Sequence, residues 1–375
     1  MKNVAIVTLY GEYNIGNKLQ NYAVEYLLNK AGCKPVTMVT SMYQPISKRI
    51  KNLLISALLF MPINNDRRIT ERRMMRKRVR KIEAFSKEYL HYSKYFDYRD
   101  KKALANLNEE YDLFVTGSDQ VWGSFIDEDP DAFNYFFLLF ADREKRGSIA
   151  PSLGRYVVNE DMQEAYAIAL KEIRWLSCRE KGMKQLIEKL SERKPQLLLD
   201  PTMCVPVEEW RRISRVPEYN VPPKYILDYR LGTDKDRTDL IVEEISAKSG
   251  FDVVNIYDTR MKNVVFEKTG PTEFLWLIDN ASLVVTDSFH GCVFSILFNK
   301  NFVCIDRTET SKSVNMNDRL DTLLTRFNLC DRLYGKKVLD NLLNTNHQNT
   351  NEIIEIEAER TEKYVMEMIE RKVIM

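Results

Sequence analysis

The sequence has few of the residues that build metal centres and disulfide frameworks. Its 375 residues include only three histidines (His91, His290 and His347) and six cysteines, none of which form a C-x-x-C pair. Scattered cysteines of this kind are typical of reduced thiols in the cytoplasm and argue against a zinc site. No apolar run reaches the roughly 18 residues that a membrane-spanning helix requires, and the strand-like residues 4–10 do not resemble a signal peptide. We therefore expect a cytoplasmic protein without a metal or a bound cofactor.

The composition instead indicates a folded chain of more than one domain. Hydrophobic residues make up 44% of the chain and charged residues 29%, which is typical of a globular protein and excludes wholesale disorder. A chain of this length has room for two or three domains of ordinary size.

The net charge of +2 hides a strongly basic segment. From residue 48 to residue 81 the chain has twelve lysines and arginines and only two acids, and the densest part is 67–81. The apolar stretch 53–63 precedes it. An apolar segment beside a polybasic one can bind an anionic membrane surface, but the same pattern fits a solvated helix with one apolar face on the core. Nucleic acid is a third interpretation, which no aromatic or zinc motif supports, so no nucleic acid is expected.

Strand-like runs alternate with helical patterns along the chain, as in α/β proteins. Residues 3–9 are a predicted strand, followed by a Gly/Asn loop and a helix, a Rossmann-like opening that lacks G-x-G-x-x-G. Another strand is predicted at 111–116, with 117–120 as its exit loop. Three prolines mark residues 216–224 as a linker, and a second strand–helix series follows. The pattern predicts two Rossmann-like domains that face a cleft.

The predicted domain bounds follow from these changes in composition and spacing. The N-terminal domain covers residues 1–215 and contains a basic helical insert at about 45–92. The C-terminal domain covers residues 222–350. An amphipathic helix at 352–375 is expected to pack back across both domains.

The most informative stretch is residues 281–302, ASLVVTDSFHGCVFSILFNKNF. A β-rich apolar run ends at Asp287-Ser288, His290 and Gly291 follow at once, and helical spacing then resumes. Ligands of open α/β sheets bind beyond the carboxyl ends of strands, and a helix N-terminus favours an anion. We therefore interpret His290 as a functional residue. The alternative is a histidine that caps the helix or fills a polar pocket.

The other candidate residues lie in loops that follow predicted strands of both halves. Their cations would suit an anionic donor, and their amides and carboxylates would suit sugar hydroxyls. The set is Asn14, Gly16, Asn17, Asp119, Gln120, Ser152 and Arg179 in the N-terminal half, and Arg230, Asp287, Ser288, His290, Gly291 and Arg307 in the C-terminal half. The asparagines and aspartates can cap helices instead, and the glycines can serve unusual backbone angles. The turn Asp200-Pro201-Thr202 is interpreted as structural.

In order and spacing these motifs resemble those of the polysaccharide pyruvyl transferases. The similarity covers most of the chain: GEYNIGN at 11–17, GSDQVW at 117–122, SLG at 152–154, SCRE at 177–180, LDPT at 199–202, TDSFHG at 286–291 and DRLDTLL at 318–324. The resemblance implies the two-domain fold of GT-B glycosyltransferases, with the N-terminal domain as the acceptor side and the C-terminal domain as the donor side. It also implies an enzyme that moves the enolpyruvyl group of phosphoenolpyruvate onto a sugar as a cyclic ketal, in capsule, exopolysaccharide or cell-wall glycan synthesis. The acceptor would be a glycan or a lipid-linked precursor at the inner membrane face, beside residues 67–81.

The resemblance also implies roles for individual residues. His290 matches the family's histidine after the C-terminal strand, so phosphate contact or proton transfer is expected of it. Asp119 is the second titratable candidate, as a base or as a group that orients a hydroxyl. Many members carry an arginine two residues before that histidine, where this chain has Ser288. The anion contact is then expected from Arg230 or Arg307.

Two other functions stay open at this point. The same fold can use a nucleotide-sugar donor, which would require a slot for a base in place of a small pocket lined by cations. A non-catalytic glycan-assembly protein would instead keep its function when His290 is replaced by alanine.

Overall fold

The computed structural model describes residues 1–11, 14–40, 67–155, 157–257, 264–307, 317–335 and 349–371. Two four-stranded parallel sheets dominate this part of the chain, one in each half. The apolar stretch 53–63 and the first part of the predicted basic insert, 45–66, lie outside the described residues.

The first sheet has the strand order β2-β1-β3-β4, and all neighbouring strands are parallel. Its strands are β1 (Asn3–Val7), β2 (Lys34–Thr37), β3 (Leu113–Asp119) and β4 (Arg146–Pro151), and the short pair β5 (Ser177–Cys178) and β6 (Gln196–Leu197) lies beside β4. Every residue of β3 and β4 is buried, as is typical of parallel strands covered on both faces. Their carboxyl ends meet at one edge, where Asp119 and Ser152 lie.

β3 is longer than the sequence predicts. Gly117, Ser118 and Asp119 have the composition of a loop, but they continue the strand because Gly117 and Asp119 pair with Ile149 and Pro151 of β4. Tertiary pairing here overrides the weak strand propensity of small polar residues. As a result Asp119 is the last residue of β3, at the carboxyl ends of the strands.

The second sheet has the order β10-β9-β7-β8 and is also parallel. Its strands are β7 (Tyr225–Tyr229), β8 (Asp252–Asn255), β9 (Leu283–Thr286) and β10 (Phe302–Cys304). β9 is the strand predicted before His290, and it lies between β7 and β10. The turn that carries His290 therefore leaves the sheet between two neighbouring strands, a position at which α/β sheets bind ligands.

Helices cover both sheets. They are α1 (Ile15–Lys30), α2 (Arg67–Tyr89), α3 (Lys101–Glu110), α4 (Pro130–Phe136), α5 (Gln163–Glu172), α6 (Lys181–Ser191), α7 (Val207–Ile213), α8 (Lys235–Ser249), α9 (Val264–Lys268), α10 (Pro271–Asn280), α11 (Phe289–Leu297), α12 (Asn317–Arg326) and α13 (Thr350–Glu370). Short 3-10 turns lie at Ser124–Ile126, Arg143–Lys145, Glu160–Met162, Pro201–Cys204 and Cys330–Arg332.

One apolar cluster continues from the first half into the second. The ring of Tyr22 on α1 lies 5.3 Å from that of Trp210 on α7, and Trp210 packs edge-on against Phe294 of α11 at 5.1 Å. Trp210 and Phe294 are fully buried, and aromatic rings of this size contribute much of the packing energy of a core. This contact holds α1 of the first half against α11 of the second.

The C-terminal helix α13 contacts both halves. The Tyr364 hydroxyl donates to the carbonyl oxygen of Ser148 in β4 at 3.1 Å, and Met368 packs against Gly147 of the same strand. Glu357 pairs with Arg326 of α12 at 3.6 Å. The helix thus packs against α12 in the second half and against β4 in the first half. The domain bounds themselves stay a prediction.

The basic segment forms α2, which has a buried face. Met74, Ile82 and Phe85 lie in the core. Arg78 is buried with them, because its Nη1 donates to the carbonyl oxygen of Ile256 at 2.6 Å and its guanidinium lies over aromatic rings. One of the three interpretations of this segment was a helix with one apolar face on the core. The described part of the segment has this arrangement.

The opposite face of α2 is exposed and basic. Arg73, Arg80 and Lys87 are exposed there, and their spacing of seven residues places them along one stripe of the helix. No helix in the described parts of the chain combines the length and the apolar composition needed to cross a membrane.

Candidate active site

His290 lies in the first turn of α11, where the chain leaves β9. Ser288 is the N-cap of this helix, and its hydroxyl accepts a hydrogen bond from the backbone N–H of Gly291 at 3.4 Å. A Cβ at Gly291 would overlap with the side chain of Thr286, so this glycine allows the helix to start close to the strand. His290 itself is only 8% exposed.

Asp287 fastens this turn to the loop after β7. Its two carboxylate oxygens accept hydrogen bonds from the backbone N–H groups of Leu231 and Gly232 at 2.6 and 2.7 Å. Arg307 reaches the same carboxylate at 3.4 Å. Asp287 and Arg307 therefore position the turn that carries His290.

The imidazole of His290 lies against the start of α1 from the other half of the chain. A Cβ at Gly16 would overlap with Nδ1 and would lie 3.0 Å from Cγ of the ring. Asn14 is the N-cap of α1, and its side-chain oxygen accepts from the backbone N–H of Asn17 at 3.3 Å. The N-termini of two helices thus meet at one histidine, and both place positive partial charge there.

On its other side His290 faces the buried carboxylate of Asp200. Nε2 of His290 lies 3.9 Å from Oδ2 of Asp200, too far for a hydrogen bond. Among the described residues this buried nitrogen has no hydrogen-bond partner. The other oxygen of Asp200 accepts from the N–H and the hydroxyl of Thr202 at 3.0 and 2.6 Å. Asp200 caps a turn, as the sequence suggests, and also borders the site.

Arg179 shares the Asp200 carboxylate with His290. Its Nη1 donates to Oδ2 of Asp200 at 2.5 Å, and its Nε donates to Glu180 at 3.0 Å. Its guanidinium lies 4.5 Å from the centre of the Phe289 ring. In the described structure, Nη2 of this buried side chain has no hydrogen-bond partner. A buried charged donor in that state is unfavourable by itself and suits an anionic ligand.

Asp119 and Gln120 enter the site from the end of β3. Asp119 has φ = +71°, in the left-handed region that few residues other than glycine adopt, and its carbonyl oxygen accepts from the N–H of Ser152 at 2.8 Å. Its negative charge acts on both His290 and Arg319. The Gln120 amide oxygen, in the orientation that meets donors, accepts from Arg319 at 2.9 and 3.1 Å. The end of β3 in the first half is thereby linked to Arg319 on α12 in the second half.

A small cavity lies among these groups. Its volume is about 20 Å³, enough for about one water-sized group. Arg179, Glu180, Asp200, Phe289, Arg319 and Arg326 line most of it. Three arginines and two carboxylates line it, so its potential is positive on balance, and two of the arginines, Arg179 and Arg319, lie over the ring of Phe289.

The pKa values in the cluster show how burial and charge compete. Burial lowers the pKa of His290 below its usual value of 6.5, and the charges of Asp200 and Asp119 oppose this shift without cancelling it. The imidazole is therefore mostly neutral near pH 7. Burial also lowers the pKa of Arg319 to about 10, with the charge of Arg179 as the next cause. An anion bound between Arg179 and Arg319 would raise the pKa values of both His290 and Arg319 again.

Asp200 shows the opposite balance. Burial alone would raise the pKa of its carboxyl, but the charge of Arg179, the imidazole of His290 in its protonated form and the hydrogen bonds from Thr202 outweigh burial and hold the pKa below its usual value. Asp200 is therefore ionised at neutral pH and stabilises the Arg179 guanidinium.

Arg230, one of the two arginines expected to replace the missing family arginine, points elsewhere. Its Nε and Nη2 donate to Asp228 at 2.5 Å, Nη2 also reaches Asp239 at 2.9 Å, and Nη1 donates to Thr238 at 2.6 Å. None of these contacts of the described chain involves His290. The arginines that the structure brings to the cavity are instead Arg179, Arg319 and Arg326.

Apart from Arg230, the predicted residues thus divide into two groups. Gly16, Asp119, Gln120, Arg179 and His290 lie around the buried cluster. The others hold its frame: Asn14, Asn17, Ser288 and Gly291 shape helix starts, Asp287 and Arg307 fasten a turn, and the Ser152 hydroxyl accepts from the N–H of Gly154 at 3.0 Å.

Sequence reasoning did not select Arg319 and took Asp200 as structural. Both stand within motifs that carry the family resemblance, LDPT at 199–202 and DRLDTLL at 318–324, and this was the one signal for them. Asp200 directly follows the strand-like run 197–199 but was interpreted as part of a structural turn. Arg319 follows no predicted strand, so the rule that strand ends carry ligands could not find it.

The two parallel α/β halves, with the loops after their strands meeting at a polar cluster, define a GT-B class of fold. A putative UDP-N-acetylglucosamine 2-epimerase from Listeria monocytogenes is similar, with a TM-score of 0.51 and 12% identity over 100% of this chain and 98% of that chain. A UDP-GlcNAc 2-epimerase from Neisseria meningitidis bound to UDP-GlcNAc has a TM-score of 0.48 and 10% identity, over 99% and 100% of the two chains. At 12% identity the likeness to the Listeria protein shows the fold alone.

The family model of the polysaccharide pyruvyl transferases matches residues 14–309. The chain belongs to this family of transferases, and the predictions of the family and of the GT-B fold are confirmed. The matched range contains Gly16, Asp119, Arg179, Asp200 and His290, and it ends before Arg319. No curated protein sequence matches the chain.

Proposed function

We propose that the protein transfers the enolpyruvyl group of phosphoenolpyruvate onto a sugar of a surface polysaccharide or its lipid-linked precursor. The product would be a pyruvate ketal, with release of phosphate. The observation that carries the proposal is the pair of buried nitrogens, Nη2 of Arg179 and Nε2 of His290, that have no hydrogen-bond partner among the described residues. Arg179 lines a cavity together with Arg319 and Arg326, and Nε2 of His290 lies 3.9 Å from Asp200, which also lines it.

The charge of the donor suits this cluster. Phosphoenolpyruvate carries a phosphate and a carboxylate, and charge-assisted hydrogen bonds from guanidinium groups recognise both. Arg179 and Arg319 lie 4.5 and 5.9 Å from the centre of the same Phe289 ring, so two cations flank one apolar surface. The positive ends of α1 and α11 add to the attraction for an anion.

The reaction needs no oxidant and no bound cofactor. The first acceptor hydroxyl forms a C–O bond to C2 of the donor while a proton adds to C3, which becomes the methyl group. A second hydroxyl then bonds to C2 as the C–O bond to phosphate breaks. One hydroxyl proton ends on C3 and the other on the departing phosphate, so atoms and charge balance.

His290 is our first choice for proton transfer and Asp119 for orienting or deprotonating a hydroxyl. A neutral imidazole is a base, but a bound trianion would raise its pKa and let it become an acid. Asp119 lies within electrostatic reach of His290 and at the end of β3. Asp200 would hold Arg179 and stabilise the protonated imidazole.

The donor is larger than the cavity of about 20 Å³. Binding would therefore require α12, which carries Arg319, to separate from the turn at His290. Movement of elements around a cleft is common in two-domain enzymes. Closure would then expel water and strengthen the contacts of both arginines with the donor.

The acceptor side extends to the membrane in this proposal. The exposed stripe of Arg73, Arg80 and Lys87 on α2 would contact anionic headgroups at the cytoplasmic face and bring the site near a lipid-linked acceptor. The buried face of the same helix is already used by the core, so only its charged face is available for this contact.

Ligand-induced stabilisation and product analysis test the proposal together. Phosphoenolpyruvate should raise the Tm of the full-length protein saturably, because a ligand that binds only the native state stabilises it. With a lipid-linked oligosaccharide fraction as acceptor, the protein should release phosphate and add a pyruvate ketal detectable by mass spectrometry. His290→Asn should lower turnover by about a hundredfold or more.

His91→Asn is the matched control, because the His91 side chain is 72% exposed and lies away from the cluster. Its turnover should stay close to that of the wild type. A Tm rise with UDP-GlcNAc and none with phosphoenolpyruvate would replace the proposal with glycosyl transfer. Unchanged product formation in His290→Asn would also contradict it.

A further inference from the structure

A second and larger cavity lies in the first half of the molecule. Its volume is about 610 Å³, and Tyr98, Arg99, Phe125, Glu128 and Phe136 are among the residues that line it. Cavities of this size hold sugars and other small ligands. We propose that it binds a neutral saccharide unit of the acceptor, with the ring of Phe125 as the platform for the sugar; the proposal rests on the function proposed above.

Phe125 is the residue that most needs an explanation. It is 41% exposed, and among the described residues it is the only exposed phenylalanine. Its ring stands nearly perpendicular to that of Phe136, with centroids 5.2 Å apart. Phe136 is buried, so Phe125 rests on the core at this contact while 41% of the residue stays exposed at the cavity.

Another part of the cavity lining is polar and hydrogen-bonded. The Tyr98 hydroxyl donates to Asp129 at 2.7 Å, and Arg99 donates to both groups at 2.8 and 3.0 Å. The Tyr98 ring is stacked on Tyr135 at 5.6 Å. These contacts hold a guanidinium, a phenol oxygen and a carboxylate at fixed positions where they can meet hydroxyl groups.

The chemistry of this wall and platform fits an uncharged sugar. A pyranose ring has an apolar face of C–H groups that can lie on an aromatic ring, and hydroxyls at its edge that pair with carboxylates and guanidinium groups. Glu128, Asp129 and Arg99 supply those partners. Two carboxylates against one arginine disfavour a phosphate or a nucleotide, which the buried cluster of arginines suits better.

The cavity is joined to the proposed reaction site by a short piece of chain. Phe125 lies in the 3-10 turn that follows β3, the strand that ends at Asp119. Gly123 packs between them: a Cβ there would lie 3.1 Å from the carbonyl oxygen of Gln120 and 3.4 Å from the Phe125 ring. A sugar on Phe125 would thus contact the chain segment that directly follows Asp119.

Saturation-transfer NMR tests the proposal on the full-length protein. The probes are four neutral disaccharides: N,N′-diacetylchitobiose, cellobiose, lactose and mannobiose. At least one should receive saturation from the wild type, and Phe125→Ala should weaken its binding about tenfold, since an aromatic contact of this kind contributes roughly one factor of ten. Phe125→Trp keeps a ring and should retain binding.

Tyr95→Ala is the matched control, because Tyr95 is also an exposed aromatic residue, at 63%, and does not line the cavity; it should bind like the wild type. Absence of transfer to all four probes, or equal transfer in Phe125→Ala, would overturn the inference. Stabilisation by phosphoenolpyruvate should be unchanged in Phe125→Ala. Sugar binding that depends on Phe125, without any response to phosphoenolpyruvate, would keep this site and remove the proposed donor.

Discussion

Gly16 and His290 are in direct contact although they belong to opposite halves of the chain. The imidazole lies so close to Gly16 that a Cβ on this residue would overlap with Nδ1. The contact joins the N-terminus of α1 to that of α11 and sets the position of His290 relative to Asp200 and Arg179. A single methyl group added at this point tests whether that position matters.

Gly16→Ala should lower turnover by about a hundredfold while the protein stays folded. The added Cβ must push the imidazole away or separate α1 from α11, and a displacement of about 1 Å at a reacting group can cost a factor of that size. Overpacking should also lower the free energy of unfolding by roughly 1–3 kcal/mol. Turnover and urea unfolding measured on the same preparation give both numbers.

Gly11→Ala is the control for this prediction. Gly11 precedes the same helix and is exposed, and a Cβ added to it would meet no atom of the described residues within 4 Å. Its turnover and stability should match those of the wild type. Equal turnover in the two variants would show that the contact between Gly16 and His290 has no part in catalysis.

Breaking the ion pair between Arg179 and Asp200 should strongly destabilise the protein. Both side chains are almost fully buried, at 3% and 2% exposure. Asp200→Asn would leave the Arg179 guanidinium without its closest charge, and removal of one partner from a buried pair typically costs about 3–5 kcal/mol. The free energy of unfolding in urea at neutral pH measures this loss.

A surface pair gives the comparison. Lys363 and Glu367 lie 3.9 Å apart on α13, with 77% and 38% of their side chains exposed. Glu367→Gln should change the free energy of unfolding by less than about 1 kcal/mol. Similar losses in the two variants would mean that the buried cluster does not depend on Asp200.

The buried His290 should make stability depend on pH. Its folded-state pKa is below its usual value of 6.5 because of burial, so the unfolded chain binds more protons between the two values. The contribution is complete above about pH 6.5 and is lost as the pH falls toward the folded pKa. His290→Gln should therefore lose less stability than the wild type when unfolding is measured at about pH 7 and again near pH 5.

Donor binding should change this titration. Because a bound anion favours the charged imidazole, phosphoenolpyruvate should raise the pKa of His290. With only three histidines in the chain, NMR can follow each ring, with His290→Gln to assign the resonance. A pKa that is the same with and without phosphoenolpyruvate would place the donor away from His290.

Sequence patterns predicted the features of this site that depend on a few neighbouring residues better than those that depend on contacts between distant parts of the chain. β9 and the turn to His290 follow from a short apolar run, a capping serine and resumed helical spacing, all of which act within a few residues. The extension of β3 to Asp119 could not be predicted in this way, because pairing with β4 decides it.

The arginines show the same limit. Arg230 follows a predicted strand, yet its guanidinium pairs with the carboxylate of Asp228, which belongs to that strand. Arg319 follows no predicted strand, yet it reaches Gln120 from the other half. Which cation serves an anion site is decided by the carboxylates around each one, and these come together only in the folded chain.

The exposed stripe on α2 leads to a prediction about membranes. Arg80 and Lys87 are both exposed and lie seven residues apart, on one face of the helix. Each basic residue near an anionic surface contributes about 1 kcal/mol, so Arg80→Gln with Lys87→Gln should weaken binding to vesicles that contain phosphatidylglycerol by roughly 30-fold. Co-sedimentation at low salt measures this, and higher salt should reduce wild-type binding as well.

The loss of vesicle binding should depend on which helix carries the removed charges, and not on the total charge alone. Lys101 and Lys102 are also exposed but lie at the start of α3, so Lys101→Gln with Lys102→Gln removes the same charge from another surface. This variant should bind vesicles nearly as well as the wild type. If both double variants lose binding equally, general charge attraction would explain it, and α2 would have no specific role in reaching a lipid-linked acceptor.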